Sequence, residues 1–177
     1  MAWRTRGRRG DALEELIDLT NTYYKDHQFA RVDKISTPVT VIDVNERSQI
    51  TLGYYEKKST VDYIGIAQGV AICFDAKETN LLSIPLSNIH SHQLEYMQDF
   101  AKQGGISFLI VHFKRSNDYY LVPLEIIEEI INVGKRKSIP YSAMKKAIPI
   151  GFFHDHYLNY LAAVNVYLQK KQAAERD

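Results

Sequence analysis

The apolar positions of the chain follow two spacings, one helical and one extended. Apolar residues recur at helical spacing over Asp11–Lys25, Ser91–Gln103, Leu124–Val133 and Tyr157–Lys170, which predicts four helices. Short apolar or β-branched runs predict strands over Phe29–Val32, Thr60–Ile66, Val70–Lys77, Ile106–Phe113 and Tyr119–Val122. The run from 106 to 113 is almost wholly apolar, as in a strand buried on both faces. This order of elements predicts an α/β fold, with a mixed β-sheet flanked by helices.

A further hairpin is predicted between the first two of these strands. Pro38 opens a β-branched run, Asn45-Glu46 is the expected turn, and Ile50–Tyr55 returns as the partner strand. The tip of the hairpin is charged, through Asp43, Glu46 and Arg47. We therefore expect it to project from the body of the protein. The chain is interpreted as a single domain over 1–177 with a projecting hairpin, the stalk, at 34–58.

The composition excludes several classes of protein. The hydrophobic fraction of 45% and the charged fraction of 24% are those of an ordinary globular protein. No run of about 18 apolar residues occurs, so no membrane-spanning helix is predicted, and the first ten residues lack the apolar segment of a secretory signal. The single cysteine, Cys73, excludes a disulfide framework within the chain. We expect a cytoplasmic protein that does not enter a membrane.

Charge is distributed unevenly, although the formal net charge is only +1. The first ten residues carry four arginines and no acid, an acidic stretch follows, and a second basic cluster occupies 135–146. Neighbouring basic and acidic patches suit a protein that holds both a phosphate backbone and a metal ion. They also fit a solvated surface on which the charges cluster by chance.

The strongest chemical signal lies on the two strands around Gln68-Gly69. If these residues form a two-residue turn, the strands pair outward from it and Asp62 faces Asp75, with Cβ atoms roughly 4.5–5.5 Å apart. Carboxylates so placed repel each other unless a cation compensates them, and Mg²⁺ prefers carboxylate oxygens. Lys77 shares the strand face of Asp75 and can hold a phosphate oxygen or the attacking water. Taken alone, the same residues also fit an exposed, charged strand face.

An Asp followed one strand later by (Asp/Glu)-x-Lys is the PD-(D/E)xK nuclease pattern, which is short and loose. More specific motifs surround it: Arg9-Gly10, Leu13-Glu14, Thr20-Asn21-x-Tyr23-Tyr24, Thr37-Pro38-Val39, Ser59-Thr60-x-Asp62-Tyr63-x-Gly65, Asp75-Ala76-Lys77-Glu78-Thr79, Pro85-Leu86-x-Asn88, His90-x-His92-Gln93-x-Glu95-x-Met97 and Gln103-x-Gly105-Ile106. Together they resemble the RecU-type bacterial Holliday junction resolvases from about Arg9 to Phe113. The resemblance implies a restriction-endonuclease-like fold and an endonuclease that resolves Holliday junctions by paired symmetric nicks.

The resemblance also implies a metal site. Asp62 and Asp75 would be the metal ligands, helped by the carbonyl of Ala76, and Lys77 would be the catalytic lysine. The implied cofactor is Mg²⁺, for which Mn²⁺ can substitute. The implied products carry 5′-phosphate and 3′-hydroxyl ends.

Three further positions match the family at the edge of this site. Glu14 would complete it as a carboxylate that either supports the metal ligands or binds a second metal ion. Thr60 would orient the metal or the phosphate, and Gln93 would contact the site from its helix. Without the resemblance, Glu14 is a carboxylate at a helix start, where the helix dipole favours it. Thr60 is then an ordinary strand residue and Gln93 a surface residue of a helix.

The implied substrate is a four-way DNA junction, held by a homodimer whose stalks project into the junction centre. Contacts to the DNA backbone are expected from Arg8, Arg9, Lys34, Arg47, Lys57 and Lys58. Tyr54 and Tyr55 on the stalk are candidates for stacking on unpaired bases. Recombination proteins are a further candidate class of partner.

Two other functions stay open from the sequence. One is a different PD-(D/E)xK nuclease that acts on linear duplex DNA, and the other is a non-catalytic, junction-binding accessory protein of recombination. A nucleophilic role for Cys73 is disfavoured, because no histidine partner is suggested nearby, and a semi-buried thiol is expected. The pairs His90/His92 and His154/His156 are interpreted as structural or solvent-facing, because i,i+2 spacing suits zinc chelation poorly.

Overall fold

The elements of the fold are seen in a computed structural model that describes residues 11–55, 60–132, 136–174 and 176. The helices are α1 (Asp11–Asp26), α2 (Ser91–Lys102), α3 (Leu124–Asn132) and α4 (Tyr160–Ala174). The strands are β1 (Ala30–Lys34), β2 (Val39–Val44), β3 (Ile50–Tyr55), β4 (Tyr63–Ala67), β5 (Val70–Thr79), β6 (Ser83–Pro85), β7 (Ile106–Phe113), β8 (Asp118–Pro123), β9 (Ser138–Pro140), β10 (Ile148–Pro149), β11 (Phe152–Phe153) and β12 (Tyr157–Leu158). Short 3₁₀ helices occupy Leu86–Asn88 and Tyr141–Lys145.

Six of these strands form the central sheet, in the order β1-β4-β5-β7-β8-β10. β5 and β7 are parallel, and the other neighbours are antiparallel. A parallel pair needs a crossover connection, and here α2 lies within it. The prediction of a mixed sheet flanked by helices is confirmed.

The core lies on both faces of this sheet. One cluster of buried side chains includes Phe108 and Ile110 together with residues of α1 and α4, and the other includes Leu109 and Val111 with residues of α2 and α3. All four of these β7 residues are fully buried. The apolar run in the sequence therefore reflects a strand covered on both faces, as predicted.

The turn between β4 and β5 has the geometry that the register argument required. Gln68 and Gly69 both have positive φ angles, 50° and 86°, as in the type I′ turn that favours two-residue hairpins. The strands pair outward from Ala67 opposite Val70 to Tyr63 opposite Phe74. This is the predicted register. The side chain of Gln68 also donates to the carbonyls of Gln28 and Phe29, at 3.2 and 3.1 Å.

The stalk hairpin, β2 and β3, forms a two-stranded sheet of its own. Its side chains are exposed apart from the half-buried Thr40, and the exposed set includes several apolar residues of both strands. The predicted two-residue turn at Asn45-Glu46 is wrong in length, since the loop runs to Gln49. The side chain of Asn45 explains the longer loop, because its Oδ1 accepts hydrogen bonds from the backbone N–H groups of Arg47 and Gln49.

The C-terminal helix begins later than the sequence predicts. Tyr157 and Leu158 pair with Phe152 and Phe153 as a short hairpin, and α4 starts at Tyr160. Leu158 is bound to α1, since its N–H donates to Thr20 Oγ1 (3.0 Å) and its carbonyl accepts from the Tyr24 hydroxyl (3.2 Å). These long-range bonds hold an extended backbone where the apolar spacing indicated a helix.

Smaller differences affect strand ends. The strand predicted from Thr60 begins only at Tyr63, so Thr60 and Asp62 lie in the segment that leads into β4. The short strands β6, β9 and β10 were not predicted. Within the described ranges, none of the helices is long and apolar enough to cross a membrane.

Cys73 is fully buried rather than semi-buried, and its Sγ lies 3.3 Å from Ser107 Oγ. Burial raises the pKa of this thiol to about 11, which leaves almost no thiolate at neutral pH. We expect the native protein to react with an aromatic disulfide reagent at least about 100-fold more slowly than the protein unfolded in guanidinium. The reason is that the thiolate fraction of Cys73 is lower in the folded protein by about that factor. Stoichiometric labelling of the native protein at the unfolded rate would contradict this burial.

Candidate active site

Two aspartates lie side by side where β5 extends beyond the end of β4. The backbone N–H of Asp62 donates to Asp75 Oδ1 (3.2 Å), and the N–H of Ala76 donates to Asp62 Oδ2 (2.9 Å). Each carboxylate is therefore tied to the backbone of the opposite segment, Asp75 to Asp62 itself and Asp62 to Ala76. The contact follows from the hairpin register, which continues outward from Tyr63 and Phe74.

Burial and the neighbouring Asp62 both disfavour a negative charge on Asp75. Its side chain is fully buried, and the ammonium of Lys77 forms an ion pair with its Oδ2. The pKa of Asp75 is raised to about 7, chiefly by burial; Lys77 lowers this pKa, and the neighbouring Asp62 raises it. The pair of carboxylates is therefore stabilised by positive charge, which Lys77 supplies in part.

Gln93 links this aspartate to the start of α2. Its side chain is buried, its Nε2 donates to Asp75 Oδ1 at 2.7 Å, and its Oε1 accepts from the backbone N–H of His90 at 3.1 Å. The second bond is the N3 half of a capping box. Because Oε1 of the amide caps the helix, Nε2 is the atom that faces Asp75, and it faces Asp75 as a donor. The structure thus brings Gln93 into contact with a predicted metal ligand.

A pocket of about 360 Å³ adjoins the aspartates, and its walls come from separate parts of the chain. They are formed by Leu13, Glu14, Asp62, Ala76, Lys77, Glu78, Ser87, Asn88 and His90. Four of these residues were predicted for the site, namely Glu14, Asp62, Ala76 and Lys77. Asp75 is buried and does not line the pocket itself.

The wall formed by Glu78, Ser87, Asn88 and His90 was missed as part of the site. Asn88, His90 and Glu78 belong to motifs of the resemblance, but no role was assigned to them. The 3₁₀ helix Leu86–Asn88 and the turn into α2 bring three of them to the pocket. A short 3₁₀ helix leaves no periodic apolar pattern, so only the motifs offered a signal.

Glu14 and Lys34 form an ion pair at the edge of the pocket. Lys34 Nζ lies 2.9 Å from Glu14 Oε2 and 3.4 Å from Asp18 Oδ2. The hydroxyl of Tyr63 donates to the other oxygen of Asp18 at 2.8 Å. Lys34 therefore stands beside the site, balanced by two carboxylates. Its predicted contact with DNA stays a prediction.

The remaining predicted residues are placed as follows. Thr60 is half-buried, and its Oγ1 is buried without a hydrogen-bond partner in the described part of the chain. Arg47 lies exposed in the stalk loop. Arg8, Arg9, Lys57 and Lys58 lie outside the described residues.

The donors at the aspartate pair fit a hard divalent cation. Residues of a strand direct their N–H and C=O groups to the same side, so the Ala76 carbonyl faces Asp62 as its N–H does. Carboxylate and carbonyl oxygens are the ligands that Mg²⁺ takes. No cluster of three or more histidine, cysteine or acidic side chains suited to a metal occurs among the described residues. The oxygens of Asp62, Asp75 and Ala76 stay the predicted ligand set.

The chain is similar in sequence to proteins of known function. Residues 8–166 match the protein family described as Recombination protein U, RecU. The chain is 38% identical over 170 residues to the Holliday junction resolvase RecU of Leuconostoc mesenteroides, which covers 92% of this chain and 83% of that protein. The RecU resolvase of Oenococcus oeni is 39% identical over 167 residues (89% and 85% covered), and that of Staphylococcus aureus strain JH9 is 38% identical over 168 residues (90% and 81%).

The fold is also similar to a solved structure. The 1.6 Å structure of Hjc from Archaeoglobus fulgidus, a Holliday junction resolvase, superposes with a TM-score of 0.52 at 13% identity, covering 79% of this chain and 95% of that one. At this identity the likeness concerns the fold, and it confirms the expected restriction-endonuclease-like architecture. Because the family match spans most of the sequence and several relatives share more than a third of its residues, the chain belongs to the RecU family.

Proposed function

We propose that the protein is a Holliday junction resolvase, an endonuclease that cuts four-way DNA junctions by paired symmetric nicks in recombination and repair. Membership of the RecU family supports the substrate. The observation that carries the catalytic part is the contact between Asp62 and Asp75, with Lys77 paired to Asp75 beside an open pocket. A nuclease needs these groups together, because negative charge on the phosphate must be stabilised where water attacks.

The cofactor of the proposal is Mg²⁺, with Mn²⁺ as a substitute. Asp62, Asp75 and the carbonyl of Ala76 would hold the ion. When bound, such an ion lowers the pKa of a coordinated water and stabilises charge on the phosphate. The fit of the oxygen donors and the raised pKa of Asp75 support this part of the proposal.

The remaining chemistry belongs to side chains of the pocket. Lys77 presents an ammonium that can donate to a phosphate oxygen or position the attacking water. The buried hydroxyl of Thr60 has a free donor for the same task, and Glu14 is held at the pocket by Lys34. Attack of water on phosphorus in line with the 3′ oxygen breaks that P–O bond, and protonation of the oxygen gives 5′-phosphate and 3′-hydroxyl ends.

Two symmetric nicks need two active sites, so we propose a homodimer as the functional unit. The exposed apolar residues of the stalk support a dimer in which the stalk takes part in the contact between the two subunits. DNA backbone contacts are proposed from Arg8, Arg9, Lys34, Arg47, Lys57 and Lys58, with recombination proteins as further partners. A cytoplasmic location agrees with a DNA substrate and stays a prediction.

Gln93 is expected to act as a positioning residue. Gln93→Ala removes a donor to Asp75 Oδ1 and a helix cap, so we expect the Mg²⁺ concentration for half-maximal cleavage to rise roughly 10–100-fold. The matched control is Gln98→Ala on the same helix. The Gln98 amide donates to Glu128 Oε1 with a distance of 2.8 Å, and neither residue lines the pocket. Mg²⁺ titrations of cleavage and melting curves of both variants separate the effects. Equal Mg²⁺ dependence in the two variants would leave Gln93 a structural role only.

The proposed function is tested with a labelled four-way junction and a linear duplex of matched sequence, each with Mg²⁺ and with EDTA. We expect paired nicks in the junction alone, abolished by EDTA, and products that a DNA ligase reseals because they carry 5′-phosphates. Equal cutting of the linear duplex would instead assign the protein to nucleases of duplex DNA. Tight junction binding with no cutting would support the accessory protein.

A further inference from the structure

The turn between β7 and β8, residues 114–117, lies at the edge of the sheet that carries the candidate active site. β5 and β7 are parallel, so their carboxyl ends share that edge, and Lys77 pairs with Val111. The N–H of Lys114 donates to the carbonyl of Thr79 at 2.9 Å, which places the turn directly beside the end of β5. At about 3.3 Å per residue, Lys114 lies roughly 10 Å along the sheet from the level of Lys77.

A buried carboxylate attaches the turn to the pocket. Glu78 lines the pocket, its side chain is only 9% exposed, and it forms an ion pair with Lys114, whose side chain is 35% exposed. The second oxygen of Glu78 is buried without a hydrogen-bond partner in the described residues. Because a buried carboxylate without a counter-charge is costly, Glu78 holds the ammonium of Lys114 next to the pocket.

A second contact fixes the other end of the turn. His112 pairs with Glu78 across the two strands, and its ring stacks on Tyr119 with centroids 4.0 Å apart. Its Nε2 lies 3.2 Å from Asn117 Oδ1, and Asn117 has a positive φ of 55°. The turn is therefore held at both ends by side chains from the end of the parallel strand pair.

Arg115 is the free charge of the turn. Its side chain is exposed, and in the described part of the chain it has neither an ion pair nor a hydrogen-bond acceptor. The acid that follows in sequence, Asp118, accepts a hydrogen bond of 2.5 Å from Tyr141. An arginine and a partly exposed lysine thus stand on a fixed support beside the site where a phosphate is cut.

We propose that Lys114 and Arg115 form a second phosphate-binding element, which contacts the DNA backbone of a junction arm beside the scissile phosphate. The inference rests on the proposed function and assigns DNA contacts to a part of the chain outside the stalk and the N-terminal arginines. Exposed lysine and arginine side chains are the groups that bind DNA phosphates, without regard to sequence. Glu78 acts as the positioning residue of the element.

The test is the salt dependence of junction binding, measured in EDTA so that no cleavage occurs. Each lost phosphate contact lowers the slope of log affinity against log salt by about 0.9. We expect that decrease for Arg115→Ala, and about twice as much for Arg115→Ala combined with Lys114→Gln. The control combines Lys102→Ala and Lys170→Ala, two exposed lysines of α2 and α4, and should keep the slope of the unmodified protein.

Lys114→Gln leaves Glu78 without its counter-charge, so this variant can unfold. Two variants that keep the ion pair with Glu78 make the test independent of folding. In Arg115→Ala alone the slope should decrease in magnitude by about 0.9. Lys114→Arg should retain both the slope and the melting temperature of the unmodified protein. An unchanged slope in Arg115→Ala and in the double variant overturns the inference. If the unmodified protein binds and cuts the junction while the slopes do not change, only this inference fails. If it neither binds nor cuts, the proposed function fails with it.

Discussion

Asp75→Asn and Lys77→Ala are each expected to reduce junction cleavage about 10³-fold, a loss typical of removing a group that stabilises transition-state charge. Asp75→Asn removes a carboxylate that the proposed cation needs, and Lys77→Ala removes the ammonium that pairs with the Asp75 carboxylate. Both changes leave the proposed backbone contacts outside the pocket in place, and Lys77→Ala removes only a contact with the scissile phosphate, so binding of the junction in EDTA should stay within about threefold. The measurement pairs single-turnover cleavage in Mg²⁺ with binding in EDTA.

Helix α2 provides matched controls of the same chemistry. Asp99 and Lys102 of α2 form an exposed ion pair of 2.9 Å, with side chains 76% and 70% exposed. Asp99→Asn and Lys102→Ala should therefore leave cleavage unchanged, because an exposed pair contributes little. A melting curve for each variant excludes unfolding as the cause. Full cleavage by folded Asp75→Asn would mean that the chemistry lies elsewhere.

Gly65→Ala is expected to cost about 3 kcal/mol of the free energy of unfolding, at the upper end of ordinary overpacking. A Cβ at position 65 would lie 2.3 Å from the carbonyl oxygen of Arg31 and 2.6 Å from Cα of Val32. Both are backbone atoms of β1, so the change forces β1 and β4 apart. β1 also ends at Lys34, which pairs with Glu14. We expect the melting temperature to fall by roughly 10 °C.

Gly151→Ala is the control for this substitution. A Cβ at Gly151 would meet no atom within 4 Å, so its melting temperature should match that of the unmodified protein within about 2 °C, as for ordinary surface changes. Thermal unfolding followed by circular dichroism compares the two variants directly. Identical melting of Gly65→Ala and the unmodified protein would show that β1 and β4 do not approach as closely as described.

Local signals predicted the centre of the molecule well. Gln68-Gly69 is a two-residue turn with a fixed pairing, so the sequence alone placed Asp62 opposite Asp75. The apolar run of β7 similarly predicted its own burial, because a strand covered on both faces has no polar side. Both signals come from residues close together in the chain, which is where sequence patterns are informative.

Long-range contacts account for most of what was missed. Asn88 and His90 reach the pocket through β6 and the 3₁₀ helix after it, and β6 pairs with β9 more than fifty residues away in sequence. Leu158 is extended because it binds Thr20 and Tyr24 of α1. No local spacing encodes such bonds, so neither the pocket wall that contains Asn88 and His90 nor the start of α4 could be predicted from periodicity.

The central claim is that Asp62 and Asp75 hold a divalent cation, and binding of Mn²⁺ tests it most directly. Free Mn²⁺ can be counted by electron paramagnetic resonance as protein is added, without any DNA or cleavage. We predict that the unmodified protein and Asp99→Asn bind Mn²⁺ equally, and that Asp62→Asn and Asp75→Asn weaken binding at least about 10-fold. Equal Mn²⁺ binding by all four proteins would contradict the proposed metal site.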